Sequence, residues 1–401
     1  MEEIVAWIWL QNILGVENPR LRTIFDVFGN VRAIYAADEM ELNSAGVFTA
    51  KECVALLNKD RTDAEKIFDV CQKNHYRVLS FLDESYPISL KEIAAPPILL
   101  YVAGEFPNLN SDNSIAMVGT RHPSIEGQRK TFDLAYQLAK NNRVIISGGA
   151  LGIDTAAHKG ALQAGGLTIC VMGCGLRYNY MAENKPLRDT IARHGAVISE
   201  YPPDAPPTRY TFPKRNRIIA GLSAGTIVME AGLKSGALIT ARDTAKQGRR
   251  LMAFEDKEHK VQSEGVSLLI REGAAVVHCA EDVLKLSSVP QVNVQQIENI
   301  RKQQKEADKT SKPQMIQRQP QIKEKTVFTE TTKKSEKPLN PEIEGVSDEA
   351  KKIYAILSEG LTADECALKS GLPIYKVLTA LTELEILGLA VCHAGSRYER
   401  L

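Results

Sequence analysis

The chain has 401 residues, of which 44% are hydrophobic, and a formal net charge of +1 at pH 7. That length provides for two or three domains with a sizeable buried core. A protein that binds nucleic acid over its whole surface is usually more basic than this, so any such contact requires Lys and Arg side chains gathered at one place. The sequence shows no signal-peptide pattern and no apolar run of the roughly 18 residues that a membrane span requires. We therefore expect a cytoplasmic protein without a membrane partner.

Residues 1–105 are predicted to form a helical domain. Apolar residues recur there at helical spacing, and Gly15, Gly29 and Gly46 stand where helices would end. Two short helix-turn-helix units, 18–35 and 39–57, loosely resemble tandem helix-hairpin-helix or SAM-like modules. A helical cap with a purely structural role is the alternative that the pattern leaves open.

Residues 106–288 alternate apolar strands with amphipathic helices. This order predicts a Rossmann-like, doubly wound α/β domain with a mostly parallel sheet. The predicted strands are Ile115–Val118, Val144–Ser147, Leu167–Met172, Ala196–Ser199, Thr226–Met229, Leu251–Phe254 and Ala275–His278. The predicted helices between them are Ile125–Lys140, Thr155–Ala164, Lys185–Arg193 and Thr240–Gln247.

The C-terminal part of the chain divides into a linker and a small domain. Residues 289–345 are rich in Gln, Lys, Glu, Thr and Pro and poor in aromatic residues, which predicts a flexible polar linker. Residues 346–401 show three helical segments and a final hairpin pattern, an order typical of a winged helix. Its third helix carries Glu383 and Glu385 against a single Lys376, and acidic side chains repel phosphates. The pattern therefore favours a protein-binding or auxiliary role for this domain.

Candidate ligand-binding residues follow the predicted strands, at the edge where open α/β sheets bind ligands. Gly119 lets the backbone turn out of the first strand, and Arg121 can then clamp phosphate oxygens with its planar guanidinium. A salt bridge within the sheet edge is the alternative role for Arg121.

A second candidate loop consists of Ser147, Gly148 and Gly149. Glycines at the start of a helix expose backbone N–H groups and predict an anion site. We expect Asp154 to cap that helix and Lys159, one turn further on, to reach a neighbouring phosphate. His158 can equally well be a packed, hydrogen-bonded residue or a functional one.

The densest cationic segment runs from Arg209 to Arg217 and contains Lys214, Arg215, Asn216 and two aromatic residues. Cations that hold phosphates beside rings that stack on bases suit a nucleic-acid strand, although a solvated loop with one arginine in an internal ion pair fits equally well.

Ser235 and Gly236 lie in a further strand-to-helix passage that could bind phosphate. Because neither a dinucleotide fingerprint nor a P-loop is present, ATP hydrolysis is not expected. Seven scattered cysteines without a Cys-x-x-Cys pair give no zinc pattern, so neither a metal nor a cofactor is predicted. Glu230, at a strand end, is the one carboxylate that could serve in catalysis.

Five segments together resemble the DprA/Smf family of DNA-processing proteins. They are Val-Gly-Thr-Arg (118–121), Ser-Gly-Gly-Ala-Leu-Gly-Ile-Asp-Thr-Ala-Ala-His (147–158), Ser-Glu-Tyr-Pro-Pro (199–203), Phe-Pro-Lys-Arg-Asn-Arg-Ile-Ile-Ala-Gly-Leu (212–222) and Ser-Gly-Ala-Leu-Ile-Thr-Ala-Arg (235–242). The chain departs from many relatives at Tyr180-Met181, where they have Tyr-Pro, and in the segments 255–256 and 265–267.

The resemblance implies a non-enzymatic homodimer that binds incoming single-stranded DNA, displaces single-strand-binding protein and loads RecA during natural transformation. Arg121, Lys159 and the Arg215–Arg217 segment fall on positions similar to the DNA-binding residues of the family. The full set of predicted DNA-binding residues is Gly119, Arg121, Ser147, Gly148, Gly149, Lys159, Lys214, Arg215, Asn216, Arg217, Ser235 and Gly236.

Two other functions remain open at this point. Related Rossmann-like phosphoribohydrolases act on nucleotide monophosphates with a strand-end glutamate, so a nucleotide-binding or nucleotide-hydrolysing protein is the first alternative, with Glu230 as acid or base. The second is an interaction scaffold without nucleic acid, which would leave the cationic segment around Arg215 unexplained.

Overall fold

A computed structural model describes residues 3–109, 113–256, 263–287, 347–357, 360–386, 389–393 and 397–400. The chain forms two compact units, Met1–Pro313 and Gln314–Leu401, and each is described by itself. The predicted linker, 289–345, lies outside the described residues. Within the described ranges, no helix combines the length and apolar character needed to cross a bilayer.

The first unit begins with a group of six helices whose ends follow local sequence signals. Asp38 with Glu41, and Thr49 with Glu52, form capping boxes in which each pair satisfies two backbone N–H groups at a helix start. Trp7 is almost fully buried in the hydrophobic core of this group. The helices are α1 (Glu3–Leu14), α2 (Leu21–Phe28), α3 (Val31–Ala36), α4 (Glu39–Ala45), α5 (Ala50–Asn58) and α6 (Thr62–Lys73).

The predicted helical domain, residues 1–105, contains two strands at its C-terminal end. Strand β1 (Arg77–Ser80), short helix α7 (Ile88–Lys91) and strand β2 (Leu99–Gly104) follow the six helices. Both strands belong to the sheet that was assigned to the next domain, because β1 pairs with β2 and β2 pairs antiparallel with the strand Gly195–Ser199. A boundary at residue 105 therefore separates strands that are hydrogen-bonded to each other.

The sheet has nine strands, in the order β1-β2-β6-β5-β4-β3-β7-β8-β9, and β3 to β9 are parallel. Each of the seven predicted strands is observed, with ends that differ by at most one residue. They are β3 (Ser114–Val118), β4 (Val144–Ser147), β5 (Thr168–Met172), β6 (Gly195–Ser199), β7 (Gly225–Val228), β8 (Arg250–Phe254) and β9 (Ala275–Val277). The Rossmann-like, mostly parallel fold is thereby confirmed.

Strand β3 shows why both faces of this sheet are apolar. Ile115 and Met117 belong to one hydrophobic cluster and Ala116 and Val118 to another, since alternate side chains of a strand point to opposite faces. Helices pack against both clusters, as a parallel sheet requires. They are α8 (Ile125–Lys140), α9 (Ile153–Gln163), α10 (Lys185–His194) after a 3₁₀ turn (Ala182–Asn184), α11 (Thr211–Leu222), α12 (Ala237–Lys246), α13 (Glu264–Arg271) and α14 (Ala280–Ser287).

The strand order reverses direction between β3 and β7. Successive strands β3 to β6 proceed to one side of β3, whereas β7 to β9 proceed to the other. Such a switch point leaves a crevice at the carboxyl ends of the two adjacent strands, where open α/β sheets bind their ligands. The turns after β3 and β7 therefore border the expected ligand-binding crevice.

The second unit is a winged helix, as predicted. Thr362 and Glu365 form the expected capping box. Glu383 accepts hydrogen bonds from the backbone N–H (2.8 Å) and hydroxyl of Ser347, so this carboxylate fastens the first helix to the third. The elements are α15 (Asp348–Ile356), β10 (Leu361–Thr362), α16 (Ala363–Ser370), α17 (Ile374–Ile386), β11 (Ala390–His393) and β12 (Arg397–Arg400), with the strand order β10-β12-β11.

Candidate functional site

A cavity of about 460 Å³ lies at the switch point of the sheet. The turn after β3, the N-terminal part of α11 and the passage from β7 to α12 form its walls. We call it the Arg121 cavity. The residues that carry its chemistry are Gly119, Thr120, Arg121, Asp154, Phe212, Arg215, Asn216, Lys234, Ser235 and Gly236.

Arg121 stands exposed at the mouth of this cavity. Its guanidinium carbon lies 5.9 Å from the centre of the Phe212 ring, a cation–π distance. Within the described ranges no carboxylate forms a salt bridge with it. The alternative of a salt bridge within the sheet edge is therefore not observed, and the charge of Arg121 is available to a ligand.

Gly119 is required by the close approach of two backbone segments. A Cβ atom at this position would lie 2.8 Å from the Glu230 carbonyl oxygen and 2.5 Å from Ile153 Cγ1. The next residue, Thr120, donates its N–H to the same Glu230 carbonyl at 2.7 Å. The turn after β3 is thus held against the end of β7, and this contact fixes the direction in which Arg121 leaves the sheet.

Glu230 has a structural partner and does not line the Arg121 cavity. Its carboxylate accepts hydrogen bonds from the backbone N–H of Ser124 at 3.1 Å and from the Ser124 hydroxyl at 3.1 Å. Ser124 is the N-cap of α8, and its hydroxyl also accepts from the Gly127 N–H. Glu230 therefore stabilises the beginning of a helix beside the cavity.

The loop from Ser147 to Asp154 differs from the predicted anion site. The Asp154 carboxylate accepts from the N–H groups of Gly148 (3.1 Å) and Ala150 (3.3 Å), so these amides are already paired. Gly152, not Asp154, is the N-cap of α9. Asp154 thus fastens the loop that precedes the helix. Burial raises the pKa of Asp154, against the opposing effect of the nearby Arg215 charge.

Ser147 and Gly149 have structural contacts as well. The Ser147 hydroxyl donates to the Met117 carbonyl at 2.6 Å and is fully buried. Gly149 has a φ of +66°, a region that favours glycine, and a Cβ there would lie 2.4 Å from Cys170 Sγ. Its carbonyl accepts from the Asn184 amide. Neither residue lines the Arg121 cavity.

The segment around Arg215 is a helix rather than the predicted cationic loop. Apolar residues at Ile218, Ile219 and Leu222 give α11 a buried side, and Pro213 is tolerated because it lies in the first turn. Three of the four residues 214–217 are cations, a density typical of solvated segments, and this pattern predicted a loop. The helix instead buries Arg215, Asn216 and Arg217, each with no more than 8% exposure.

Arg215 forms the inner wall of the Arg121 cavity. Its Nη1 donates to the carbonyl groups of Gly148, at 2.8 Å, and Val171. A Cβ on Gly148 would lie 2.6 Å from this guanidinium, so a glycine there permits the approach. Asn216 accepts from Arg215 Nε at 3.1 Å and donates to the Gly236 carbonyl at 3.3 Å. Burial lowers the pKa of Arg215.

Three predicted DNA-binding cations lie outside this cavity. Arg217 forms an ion pair with Glu200, at 2.7 Å, and the two side chains are 8% and 1% exposed. Lys214 pairs with Glu17 at 3.2 Å on the surface. Lys159 is exposed on α9. Of the predicted DNA-binding cations, only Arg121 and Arg215 therefore line the Arg121 cavity. The pairing of Arg217 with Glu200 is the internal ion pair that the sequence left open as an alternative.

His158 is a packed residue with a defined tautomer. The Thr168 hydroxyl donates to the Ile145 carbonyl, so the imidazole donates to Thr168 through Nδ1, at 2.7 Å. Its Nε2 is buried and has no hydrogen-bond partner among the described residues. Burial, together with the Arg215 charge, lowers the pKa of His158 to about 3. Of the packed and the functional role that the sequence left open for His158, the structure supports the packed one.

Phe212 and Lys234 are cavity residues that suit a nucleic acid but were absent from the predicted DNA-binding set. Phe212 presents its ring beside Arg121, and Lys234 adds a cation opposite α11. The signal for Phe212 was present, because an aromatic residue next to cations is typical of strand-binding surfaces. In the described part of the chain, no three His, Cys, Asp or Glu side chains are grouped to hold a metal ion.

The cavity suits an anionic ligand with a planar group. Three cations, Arg121, Arg215 and Lys234, line it together with one carboxylate, Asp154, whose oxygen already accepts two N–H groups. Arginine side chains bind phosphate oxygens, and an aromatic ring stacks on a base. A nucleotide unit has both features.

Comparisons with known proteins agree with this fold. The model of the family "DNA recombination-mediator protein A" matches residues 77–288, and that of the "DprA winged helix domain" matches residues 337–396. Protein Smf of Synechocystis is 32% identical over 407 residues, which cover 99% of each chain. DNA processing protein DprA of Streptococcus pneumoniae is 44% identical over 205 residues, 51% of this chain and 72% of that protein.

The X-ray structure of the Streptococcus pneumoniae DprA superimposes with a TM-score of 0.60 and 35% sequence identity. The match covers 71% of this chain and 98% of that chain. The similarity therefore extends through the α/β unit that contains the Arg121 cavity and, in the Synechocystis protein, along nearly the whole sequence. The chain belongs to the DprA/Smf family.

Proposed function

We propose that this protein binds single-stranded DNA in the Arg121 cavity and acts as a recombination mediator. The observation that carries the proposal is Arg121 itself, an exposed cation that has no carboxylate partner among the described residues and stands at the mouth of a cavity whose inner wall is Arg215. The family model that matches most of the α/β unit is described as a recombination mediator, and the relatives are named as DNA-processing proteins.

The shape of the cavity favours a single strand over a duplex. A volume of about 460 Å³ is in the size range of small-ligand sites and accommodates one nucleotide rather than a double helix. The Phe212 ring can stack on an unpaired base, whereas the bases of a duplex already stack on one another. Because phosphates supply most of the contact, we expect little sequence preference.

The partners and cellular role follow from the family resemblance. We propose that the protein forms a homodimer in the cytoplasm, loads RecA onto the bound strand and displaces single-strand-binding protein during natural transformation and recombination. The proposal includes no catalytic step, and it requires no metal or cofactor. Glu230, the carboxylate that a nucleotide hydrolase would need, is engaged by Ser124.

The test compares the affinity for single-stranded and double-stranded oligonucleotides of equal length, by gel shift, for the wild type and Arg121→Ala. We expect tighter binding of the single strand. We expect Arg121→Ala to weaken it about tenfold at moderate salt and to lower the slope of log K against log salt by about 0.7, the value for one phosphate contact on a single strand.

Arg129→Ala is the matched control. Arg129 is also an exposed arginine, 68% accessible, but it lies on α8 between Glu126 and Asp133. We expect this variant to bind like the wild type. Equal affinity of wild type and Arg121→Ala at low salt, or an equal loss in both variants, would contradict the proposed site.

A further inference from the structure

A second cavity, of about 490 Å³, lies against strands β2, β5 and β6, between the loop 176–179 and helix α10. None of its lining residues was predicted to contact a ligand. We call it the Arg188 cavity. The side chains that matter for its chemistry are Tyr76, Arg177, Tyr178, Lys185, Arg188 and Asp189.

Arg188 is a nearly buried cation with too few partners. The residue is 8% exposed, and among the described residues it makes one hydrogen bond, from Nη1 to the Met181 carbonyl at 3.3 Å. Within the described ranges, no carboxylate oxygen lies within the salt-bridge limit of 4.0 Å. None of its guanidinium nitrogens is among the fully buried, unpartnered atoms of the described residues, so those without a protein acceptor keep access to the cavity. A cation that is largely desolvated and has no counter-ion gains from contact with an anion. The site is therefore suited to bind an anion.

The two other cations of the cavity are already neutralised. Arg177 forms an ion pair with Asp204 at 3.1 Å, and Lys185 forms one with Asp189 at 2.7 Å. Both pairs are exposed. Asp189 lines the cavity and would repel an anion, but Lys185 holds it. Arg188 is thus the cation whose charge a ligand can compensate.

Two tyrosines add aromatic surface to this cavity. Tyr178 is 43% exposed, and Tyr76 is partly buried, with a pKa that burial raises. Proteins that bind single-stranded nucleic acids combine a guanidinium with aromatic rings, because the cation holds a phosphate and a ring stacks on a base.

A short segment of chain, Tyr178–Met181, connects the two cavities. Tyr178 lines the Arg188 cavity, and the Met181 carbonyl accepts from Arg188. Between them, the Tyr180 ring lies 4.8 Å from the Phe212 ring, and Phe212 lines the Arg121 cavity. Arg121, Phe212 and Tyr180 therefore form a continuous path of cation and rings towards Arg188.

We propose that the Arg188 cavity binds a second nucleotide of the DNA strand held at Arg121, with a phosphate of the strand against Arg188 and a base against Tyr178. This inference rests on the proposed function. It predicts that the two sites contribute differently to oligonucleotides of different length.

The test measures fluorescence anisotropy of labelled oligo-dT of two lengths. About 4 nucleotides is the lower end of known single-strand site sizes, and about 20 nucleotides exceeds their upper end. We expect Arg188→Gln to weaken binding of the longer oligonucleotide about tenfold, as for loss of a charged hydrogen bond, and to lower its salt slope by about 0.7. Binding of the shorter one, which fills the Arg121 cavity, is expected to stay at the wild-type value.

Two further variants make the test specific. Arg177→Gln removes a cation from the same cavity, but one that is paired with Asp204, and we expect less than about a twofold effect. Tyr178→Leu changes an exposed ring and provides a readout that does not depend on the folding of the Arg188 variant. We expect it to weaken the longer oligonucleotide about fivefold.

The outcomes separate this inference from the proposed function. If Arg121→Ala weakens both lengths while Arg188→Gln and Tyr178→Leu change neither, the Arg188 cavity does not bind the strand and the inference is overturned, while the proposed function stands. If dTMP or inorganic phosphate binds in an Arg188-dependent way without any change for the longer oligonucleotide, the cavity binds a free anion and the inference is again overturned.

Discussion

Arg121 and Arg217 carry the same charge and both lie in segments that resemble the DprA/Smf family, but their surroundings are opposite. Arg121 is exposed beside an aromatic ring at the mouth of a cavity. Arg217 is 8% exposed and paired with Glu200, which is 1% exposed. The first cation is available to a phosphate, whereas the second stabilises the fold through its ion pair.

Arg215 shows that a cation lining a cavity and a cation in a buried ion pair can lie less than one helical turn apart. It lies two residues before Arg217 on the same helix, yet it reaches the Arg121 cavity while its guanidinium holds the Gly148 and Val171 carbonyls. A dense run of cations is therefore no measure of a binding surface. The direction of each side chain and the nearest carboxylate decide its role.

The largest effect is expected from the buried side of this comparison. Arg217→Met leaves the Glu200 carboxylate buried without its cation, and we expect a loss of about 3–5 kcal/mol in the free energy of unfolding. Urea denaturation measures it. The double variant Glu200→Gln with Arg217→Met removes both charges and is expected to recover a large part of that loss. A loss below about 1 kcal/mol in the single variant would show that this ion pair is not needed for the fold.

A smaller effect on stability is expected from lowering the pH, through His158, whose pKa is influenced by the Arg215 charge. The pKa of His158 is about 3 in the folded protein and 6.5 in its ordinary state. Between these values the unfolded chain binds a proton that the folded protein does not, so stability falls as the pH falls below 6.5. From pH 7 to pH 5.5 we expect this histidine to contribute a loss of about 1 kcal/mol.

The measurement is urea denaturation at both pH values for the wild type and His158→Gln. The variant lacks the titrating group, and its loss of stability over this range is expected to be smaller by that amount. His194→Gln, a change at an exposed histidine, serves as the control. An unchanged pH dependence in His158→Gln would mean that another group is responsible.

The smallest effect is expected at Lys214, which stands between the two extremes. Its ion pair with Glu17 is 42% and 37% exposed, so solvent screens it. We expect Lys214→Ala to change the free energy of unfolding by less than about 0.5 kcal/mol and to weaken single-stranded DNA binding less than Arg121→Ala does. Calorimetry and gel shift measure the two quantities. A DNA affinity as low as that of Arg121→Ala would place Lys214 on the path of the strand.

The parallel sheet could be predicted because its signals are local. Runs such as Val144–Ser147 are apolar throughout and are followed by a glycine, which identifies a buried strand and its end. Strands β1 and β2 escaped prediction because the four residues of β1 are too few to show a period, and because β2 comes directly after Pro96 and Pro97, which are typical of connecting segments.

The site could be predicted only in part, because burial depends on contacts between distant residues. The glycine after β3 and the position of Arg121 at a strand end were readable from the sequence. The pairing of Arg217 with Glu200 and the occupation of the Gly148 amide by Asp154 were not, since each requires the position of a second loop. The segment 214–217 illustrates this most clearly. Its cations suggested a loop, although apolar residues at helical spacing follow in the same segment and place it in helix α11.

The place of β2 in the sheet determines how the protein can be shortened. β2 covers the hydrogen-bonding edge of β6, and the buried Tyr101 hydroxyl donates to Gln11, whose amide in turn donates to the Glu200 carbonyl. A fragment that began after residue 105 would expose β6 as an open edge, prone to self-association. The helices and the α/β sheet of this unit therefore form one cooperative body, and a useful fragment must retain both edge strands and the helix that carries Gln11.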